Sequence, residues 1–93
     1  MFIITLRYKV SLEKITKHRE KHLTYLDLFY KSGNLIMSGR MDPPTGGVIV
    51  ANFESMNEVD NFITNDPFYV QNLVEYDIIN FTPTKISKEN IIN

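Results

Sequence analysis

The chain has no cysteine and no tryptophan, and it has only four glycines and four prolines among its 93 residues. Without cysteine it has no disulfide, no thiolate metal ligand and no cysteine nucleophile, which fits a reducing compartment. The start of the chain lacks the basic and long apolar segments of a signal peptide. No apolar run approaches the ~20 residues that a membrane-spanning helix needs. We therefore expect a cytoplasmic protein without a membrane partner.

The chain also lacks an excess of charge of either sign. Ten basic and eleven acidic residues give a net charge of −1. No basic surface attracts nucleic acid or an anionic membrane, so we expect neither as a partner. The length fits one domain. A domain of this size buries only about 60–65% of its unfolded surface, so an oligomeric interface would supplement a thin core.

What is present is a clear alternation of strand and helix periodicities, in the order strand, helix, strand, strand, helix, strand. The predicted strands are residues 2–9, 35–41, 48–53 and 76–81, and the predicted helices are residues 12–31, 56–64 and 67–72. Ser11 is suited to cap the first helix, and Gly33 to end it in a left-handed conformation. Ser55 and Glu58 form a capping box, and Asp66 precedes Pro67 as the cap of the short third helix.

This order predicts an α+β fold of the ferredoxin-like βαββαβ type, with both main helices on one face of a four-stranded antiparallel sheet. The first and third strands are expected to be the inner pair. We expect residues 1–83 to form the domain and residues 84–93 a polar tail. The opposite face of the sheet also carries apolar side chains, so we expect a homodimer formed sheet to sheet. These side chains are Ile3, Ile36, Ile49 or Val50, and Ile79 or Phe81.

The first helix carries the most informative polar residues. Arg19 lies near the middle of its apolar stripe and His22 at its edge. The stripe comprises Leu12, Ile15, Leu23, Leu26, Phe29 and Tyr30. A guanidinium facing the core needs an anion or several acceptors, because leaving it unpaired in a low dielectric is costly. Two alternatives stay open: the arginine stem can cover apolar surface while its head reaches water, and the histidine can be structural. His18 is expected to be solvated.

Asp66 stands before a proline in an aromatic-rich turn. Helix capping alone would explain it. A cap uses one carboxylate oxygen and leaves the other free, so an Asp66 that approaches His22 would also form a general acid/base with an orienting carboxylate. On the second strand, Ser38 offers a hydroxyl, and Gly39 leaves room for a ligand to reach the backbone.

Other chemical motifs are missing. His18 and His22 have a spacing that suits one metal ion, but no third ligand and no HExxH frame accompany them, so we predict no metal site. No P-loop, GxGxxG or GxSxG occurs, and we expect no cofactor. The pair Gly46-Gly47 is interpreted as a hairpin element.

Several short fragments, in order and spacing, resemble the YciI-like family (YCII-related domain) over about residues 1–83. They are Arg19-x-x-His22-Leu23, Ser38-Gly39, Gly47 before an apolar strand, Phe53-Glu54-Ser55 and Asp66-Pro67-Phe68. The resemblance implies a ferredoxin-like fold of the dimeric α+β barrel type. It also implies a pocket with His22 and Asp66 as the catalytic pair and Arg19 and Ser38 nearby. One branch of the family looks like a dehydrochlorinase of chlorinated hydroxyaromatics, and muconolactone-isomerase-like and monooxygenase dimers share the architecture.

One position departs from the family pattern. Where the family commonly has Ala-Gly before the last strand, this chain has Gln71-Asn72. Asparagine is the next-best residue after glycine for a left-handed turn, so the fold is expected to tolerate the change. A pocket lined by Gln71 and Asn72 would be more polar and more crowded than the pocket of other family members.

These features predict an enzyme-like protein in which His22 moves a proton on a small anionic or hydroxylated organic ligand. Arg19 would hold the anion, Asp66 would orient the imidazole, and Ser38 and Gly39 would line the ligand. Elimination or isomerisation fits, since neither needs a cofactor. The alternatives are a non-catalytic ligand-binding or accessory dimeric module, and a structural dimer with a buried polar network. A ligand site requires a cavity from which His22 is reachable, whereas a structural network requires mutually satisfied side chains and no void.

Overall fold

The computed structural model describes residues 1–87. Its elements follow the predicted order, with the second helical region split into a nine-residue helix and a single turn. The strands are β1 (Phe2–Tyr8), β2 (Leu35–Arg40), β3 (Gly46–Ala51) and β4 (Val74–Asn80). The helices are α1 (Leu12–Lys31), α2 (Met56–Thr64) and α3 (Pro67–Val70). The predicted polar tail lies outside the described residues from position 88 onward.

The four strands form one antiparallel sheet in the order β2-β3-β1-β4. This order confirms the ferredoxin-like prediction and places β1 and β3 inside. Alternate residues of β1, namely Phe2, Ile4 and Leu6, are buried on the side that faces the helices. The core continues through Ile49 of β3 and Phe62 of α2. The fold therefore has one main hydrophobic layer, between the sheet and its helices.

The predicted helix ends are confirmed. The Ser11 side chain accepts from the backbone N–H of Lys14, and the Ser55 side chain accepts from the N–H of Glu58. The Glu58 carboxylate in turn accepts from the N–H of Glu54, at 2.7 Å, so an orphan donor on each side of the cap is satisfied. Gly33, just beyond α1, has a φ of +85°.

The start of β3 is earlier than predicted, and its end is earlier as well. Gly46 and Gly47 belong to the strand, where they pair with Arg7 and Leu6 of β1. A Cβ at Gly46 would collide with the carbonyl oxygen of Leu6. The glycine thus permits a close approach of two backbones. Gly47 also pairs with Arg40 of β2, so the two glycines lie in the β2–β3 hairpin, as predicted.

The third helix is shorter than predicted, and β4 begins two residues earlier. The turn of α3 ends at Val70, and β4 begins at Val74 instead of residue 76. Asn72 lies between them with a φ of +57°. The expectation that asparagine adopts the left-handed turn in place of glycine is therefore confirmed.

The predicted apolar stripe of α1 is partly wrong. Leu12 and Leu23 are 49% and 51% exposed. The buried residues of the helix are Ile15, His22 and Leu26. Positions 22 and 23 lie about 100° apart around a helix, so only one of them can point directly at the core. The inward position belongs to His22, which has partners there.

The side of the sheet away from the helices carries an apolar row that crosses all four strands. The register aligns Met37, Val50, Ile3 and Ile79 side by side. Ile79 is 56% exposed, and Ile3 and Val50 are half-buried. Of the alternatives weighed for this face, Val50 points outward and Ile49 into the core. Among the described residues, no helix is both long enough and apolar enough to cross a bilayer.

Candidate functional site

His22 and Asp66 meet between α1 and α3. The Nδ1 atom of His22 lies 2.8 Å from Oδ1 of Asp66. His22 is only 7% exposed and Asp66 is completely buried. The sequence brings them together because α1 turns one face to the core while the Asp-Pro turn opens α3 beside it. The close contact between His22 and Asp66 that the site hypothesis requires is therefore present.

Three donors surround the Asp66 carboxylate. Its Oδ1 accepts from His22 and from the backbone N–H of Phe68, at 2.9 Å, which is the capping bond of α3. Its Oδ2 accepts from the hydroxyl of Tyr76 on β4, at 3.0 Å. One oxygen thus serves both cap and histidine, and the expectation of a free second oxygen was wrong. A fully bonded carboxylate holds its partner histidine in one orientation.

The contacts of Asp66 also define the histidine tautomer. A carboxylate only accepts hydrogen bonds, so Nδ1 of His22 is the protonated nitrogen. The ring lies parallel to Phe68, with centroids 4.0 Å apart and planes 5° apart. No buried side-chain nitrogen or oxygen among the described residues lacks a partner. Because Nδ1 takes the bond to Asp66, Nε2 is the nitrogen exposed to the adjoining cavity as a proton acceptor.

Two tyrosines near the buried Asp66 carboxylate have raised pKa values. Burial, followed by the charge of Asp66 and its hydrogen bond, raises the pKa of Tyr76 far above its usual value. Burial and the same charge raise the pKa of Tyr25 to about 12. Tyr25 donates its hydroxyl proton to the carbonyl of Phe62, at 2.8 Å. Both phenols therefore act as neutral donors at physiological pH.

A cavity of about 360 Å³ adjoins His22, between α1 and the helix-facing side of β1, β2 and β3. Its apolar wall includes Leu6, Leu23, Leu26, Ile49 and Phe68. Its polar groups come from Tyr8, Arg19, His22, Ser38 and Arg40. This combination of a mainly apolar wall with a few convergent polar groups is typical of small-molecule sites.

Arg19 lies in this cavity but is not bonded to the His22–Asp66 pair. Within residues 1–87, neither Arg19 nor Arg40 has a carboxylate within 4.0 Å or a hydrogen-bond partner. A network of mutually satisfied side chains without a void is therefore not what the structure contains. Arg40 was missed from the sequence. Its signal was the period of two along β2, which puts it on the same side as Ser38.

Ser38 is on the cavity wall, and its hydroxyl lies 2.6 Å from that of Tyr30 on α1. One of the two hydroxyls donates to the other, so the pair retains a hydrogen that can be offered to a ligand. Gly39 lines the same wall with its backbone, and a Cβ there would meet nothing within 4 Å. Close packing therefore does not require glycine at this position.

Metal ligands do not converge in the part of the chain that the structure describes. No group of three histidine, cysteine, aspartate or glutamate side chains is placed to hold an ion. The nitrogen of His22 nearest to an acidic group is already bonded to Asp66.

The fold and site together define a ferredoxin-like α+β domain with a cavity bordered by His22 of a buried His–Asp pair. The chain belongs to the YCII-related domain family, whose model matches residues 1–82. The match covers every helix and strand, so the family resemblance found in the sequence is confirmed.

One solved structure shares this fold closely. It is the 5-chloro-2-hydroxyhydroquinone dehydrochlorinase (TftG) from Burkholderia phenoliruptrix AC1100, in complex with 2,5-dihydroxybenzoquinone. The superposition has a TM-score of 0.74 and 23% sequence identity, and it covers 88% of this chain and 94% of the dehydrochlorinase. At this identity the likeness shows the fold alone. No curated protein sequence matches the chain.

Proposed function

We propose that the protein is a cofactor-independent acid–base enzyme that eliminates or isomerises a small anionic or hydroxylated organic molecule. The observation that carries the proposal is the His22 ring, which is held at Nδ1 by Asp66 and open at Nε2 to a cavity of about 360 Å³. A general base must be oriented, and it must be reachable by its substrate. His22 meets both conditions.

Each site residue has one task in this proposal. Nε2 of His22 takes a proton from the substrate, and Asp66 stabilises the imidazolium that forms. Arg19 binds an acidic group of the substrate, and the Ser38–Tyr30 hydroxyl pair donates a hydrogen bond to a substrate oxygen. The backbone of Gly39 borders the ligand. These assignments use only side chains that border the cavity or bond directly to one that does.

Both reaction types balance in atoms and electrons when the protein does no more than transfer a proton. In elimination, the C–H electron pair becomes the new double bond and the leaving group departs with its own bonding pair. In isomerisation, His22 returns the proton to a different atom of the substrate. The dehydrochlorinase with the same fold removes a chloride substituent, which supports elimination as the first reaction to test.

The test measures two reactions with purified protein. They are chloride release from 5-chloro-2-hydroxyhydroquinone, and deuterium exchange from D₂O into small hydroxyaromatics and hydroxy acids. We expect His22→Gln to lower the rate of an active compound roughly 100-fold or more, because the general base is lost. Asp66→Asn should lower it at least tenfold, because the amide no longer enforces the Nδ1-protonated tautomer.

His18→Gln is the matched control, because His18 lies one turn away on the same helix and does not line the cavity. Its rate should equal that of the unmodified protein. Activity within threefold of the original in both His22→Gln and Asp66→Asn would remove the catalytic assignment. The folded state of each variant is checked by its far-ultraviolet circular dichroism.

A binding or accessory module is the second candidate, and the two cavity arginines, which have no acidic partner among the described residues, favour it. Such a module needs the anion-binding groups but not the open nitrogen of His22. If a ligand binds equally well to the original protein and to His22→Gln, and no compound turns over, the binding module is the better description.

We also propose that two copies pair through the apolar row of the open sheet face. A second copy presents the same apolar row, and Arg7 beside this row is already paired with Asp77, at 3.2 Å, and lies 3.8 Å from Glu75. Ile79→Glu should convert a dimer of twice 10.8 kDa into a monomer, as measured by light scattering. Leu28→Glu, at an exposed position of α1, should leave the dimer intact. A monomeric unmodified protein would refute the pairing.

A further inference from the structure

Arg40 is a second cationic group in the cavity, and it comes from a different element than Arg19. It is the last residue of β2 and pairs with Gly47 of β3, two positions beyond the pairing of Ser38 with Ile49. Residues two apart on a strand share a face, so Arg40 lies on the helix-facing side with Ser38. Arg19 approaches the same space from α1.

The charge of these two arginines is not balanced locally. Within residues 1–87, no aspartate or glutamate lines the cavity. Asp66, the acid nearest to the site, is buried behind His22 and bonded to three donors. A guanidinium stays charged at all physiological pH values. The cavity therefore has a positive potential, although the chain as a whole has a net charge of −1.

The rest of the cavity wall restricts what an anionic ligand can be. Leu6, Leu26, Ile49 and Phe68 present hydrocarbon, which suits a compact carbon skeleton. The volume of about 360 Å³ equals that of roughly a dozen water molecules at ~30 Å³ each, which suits a single ring or a short chain. A single carboxylate would leave one of the two guanidinium groups without a counterion.

We infer that the substrate is a small organic diacid, with one acidic group on Arg19 and the other on Arg40. The inference rests on the proposed site and adds to it the class of substrate. The two acidic groups fix both ends of the ligand, and the carbon between them lies against His22. Two separate charge contacts also favour diacids over monoacids, because a monoacid can form a charge-assisted contact with only one of the two guanidinium groups.

The experiment compares acids that match in shape and differ in charge. The pairs are succinate with butyrate and phthalate with 2-methylbenzoate, and binding is measured by NMR titration at constant ionic strength, because salt screens such contacts. We expect at least one diacid to bind roughly tenfold more tightly than its matched monoacid. Arg40→Gln should reduce this preference to less than about threefold, because it weakens the binding of the diacid more than that of the monoacid. Arg19→Gln should weaken both members of the pair.

Arg7→Gln is the control for a change of net charge, because Arg7 lies on the other side of the sheet. It should leave both affinities unchanged. The inference is overturned if neither diacid binds more tightly than its monoacid, or if Arg40→Gln weakens both members of a pair equally. Inorganic phosphate binding as tightly as the diacids would overturn the assignment of separate groups to the two arginines.

This test does not depend on turnover. If Arg40 supports diacid selectivity while His22→Gln changes no reaction rate, the diacid inference stands and the proposed catalysis fails. If His22→Gln abolishes a reaction of a monoacid and Arg40→Gln does not affect it, the catalysis stands and the diacid inference fails.

Discussion

Two depressions on this molecule contain arginine, and they differ in how its charge is met. The groove beside β4 is the larger, at about 700 Å³, against about 360 Å³ for the cavity of His22. In the groove, Arg7 lies 3.2 Å from Asp77 and 3.8 Å from Glu75. In the cavity, Arg19 and Arg40 have no acidic partner in the part of the chain that the structure describes. The candidate site therefore differs from an ordinary surface groove in the pairing of its arginines with acidic side chains, and not in having a larger volume.

The acids of the two regions differ in the same way. Glu75 and Asp77 are exposed, and water solvates them whether or not Arg7 is present. Asp66 has no contact with water and depends entirely on its three donors. Exposed ion pairs contribute about 0–1 kcal/mol, whereas breaking a buried pair costs about 3–5 kcal/mol. The site region is therefore the one in which a single polar substitution has a large effect on folding.

The largest expected effect is on Asp66 itself. Asp66→Ala leaves the hydroxyl of Tyr76, Nδ1 of His22 and the N–H of Phe68 without their acceptor. We expect the free energy of unfolding, measured with urea, to fall by about 3–5 kcal/mol. Asp77→Ala is the matched control in the groove, and it should change stability by less than about 1 kcal/mol. Equal losses in the two variants would erase the distinction between the regions.

A smaller effect is expected at Tyr76. Tyr76→Phe keeps the ring but removes one of the donors to Asp66, and hydrogen bonds to charged groups contribute about 1.5–3 kcal/mol. The free energy of unfolding should fall by that amount. Tyr69→Phe, at an exposed position of α3, should cost almost nothing. A stability of Tyr76→Phe within about 0.5 kcal/mol of the original would show that Asp66 does not need this donor.

The elements and part of the site follow from local sequence signals. The alternation of Phe2, Ile4 and Leu6 sets the buried face of β1, and Ser55 with Glu58 sets the start of α2. Asp66 is recognisable because its proline and aromatic neighbours define the turn in which it lies. Each of these signals acts over a few residues, so no knowledge of the tertiary structure is needed.

The features that could not be predicted from the sequence depend on contacts between elements that are distant along the chain. Tyr76 reaches Asp66 only because β4 pairs with β1 in a register that sets it opposite Leu6. Gly46 is required by the backbone of Leu6, which lies 40 positions earlier in the chain. Arg40 borders the cavity because α1 packs over β2. The half-exposed position of Leu23 at the cavity wall likewise follows from the inward position of His22, which a count of apolar residues along the helix does not contain.

The smallest effect concerns Tyr25, at the edge of the region influenced by Asp66. Its pKa is about 12 in the folded protein and 10.0 without burial. The folded state therefore keeps this proton where the unfolded chain loses it. The stabilisation is complete below pH 10 and is lost as the pH rises through 12.

Urea unfolding between pH 9 and pH 12 measures this loss. Tyr25→Phe removes the titrating hydroxyl, so stability should fall less steeply over this range than in the original protein. The lost hydrogen bond to Phe62 lowers the whole curve without changing its slope, which separates the two contributions. Tyr76 titrates at still higher pH and keeps its proton in both proteins. Identical slopes would mean that neither burial nor the charge of Asp66 acts on the hydroxyl of Tyr25, and the buried acid would then influence only the groups bonded to it.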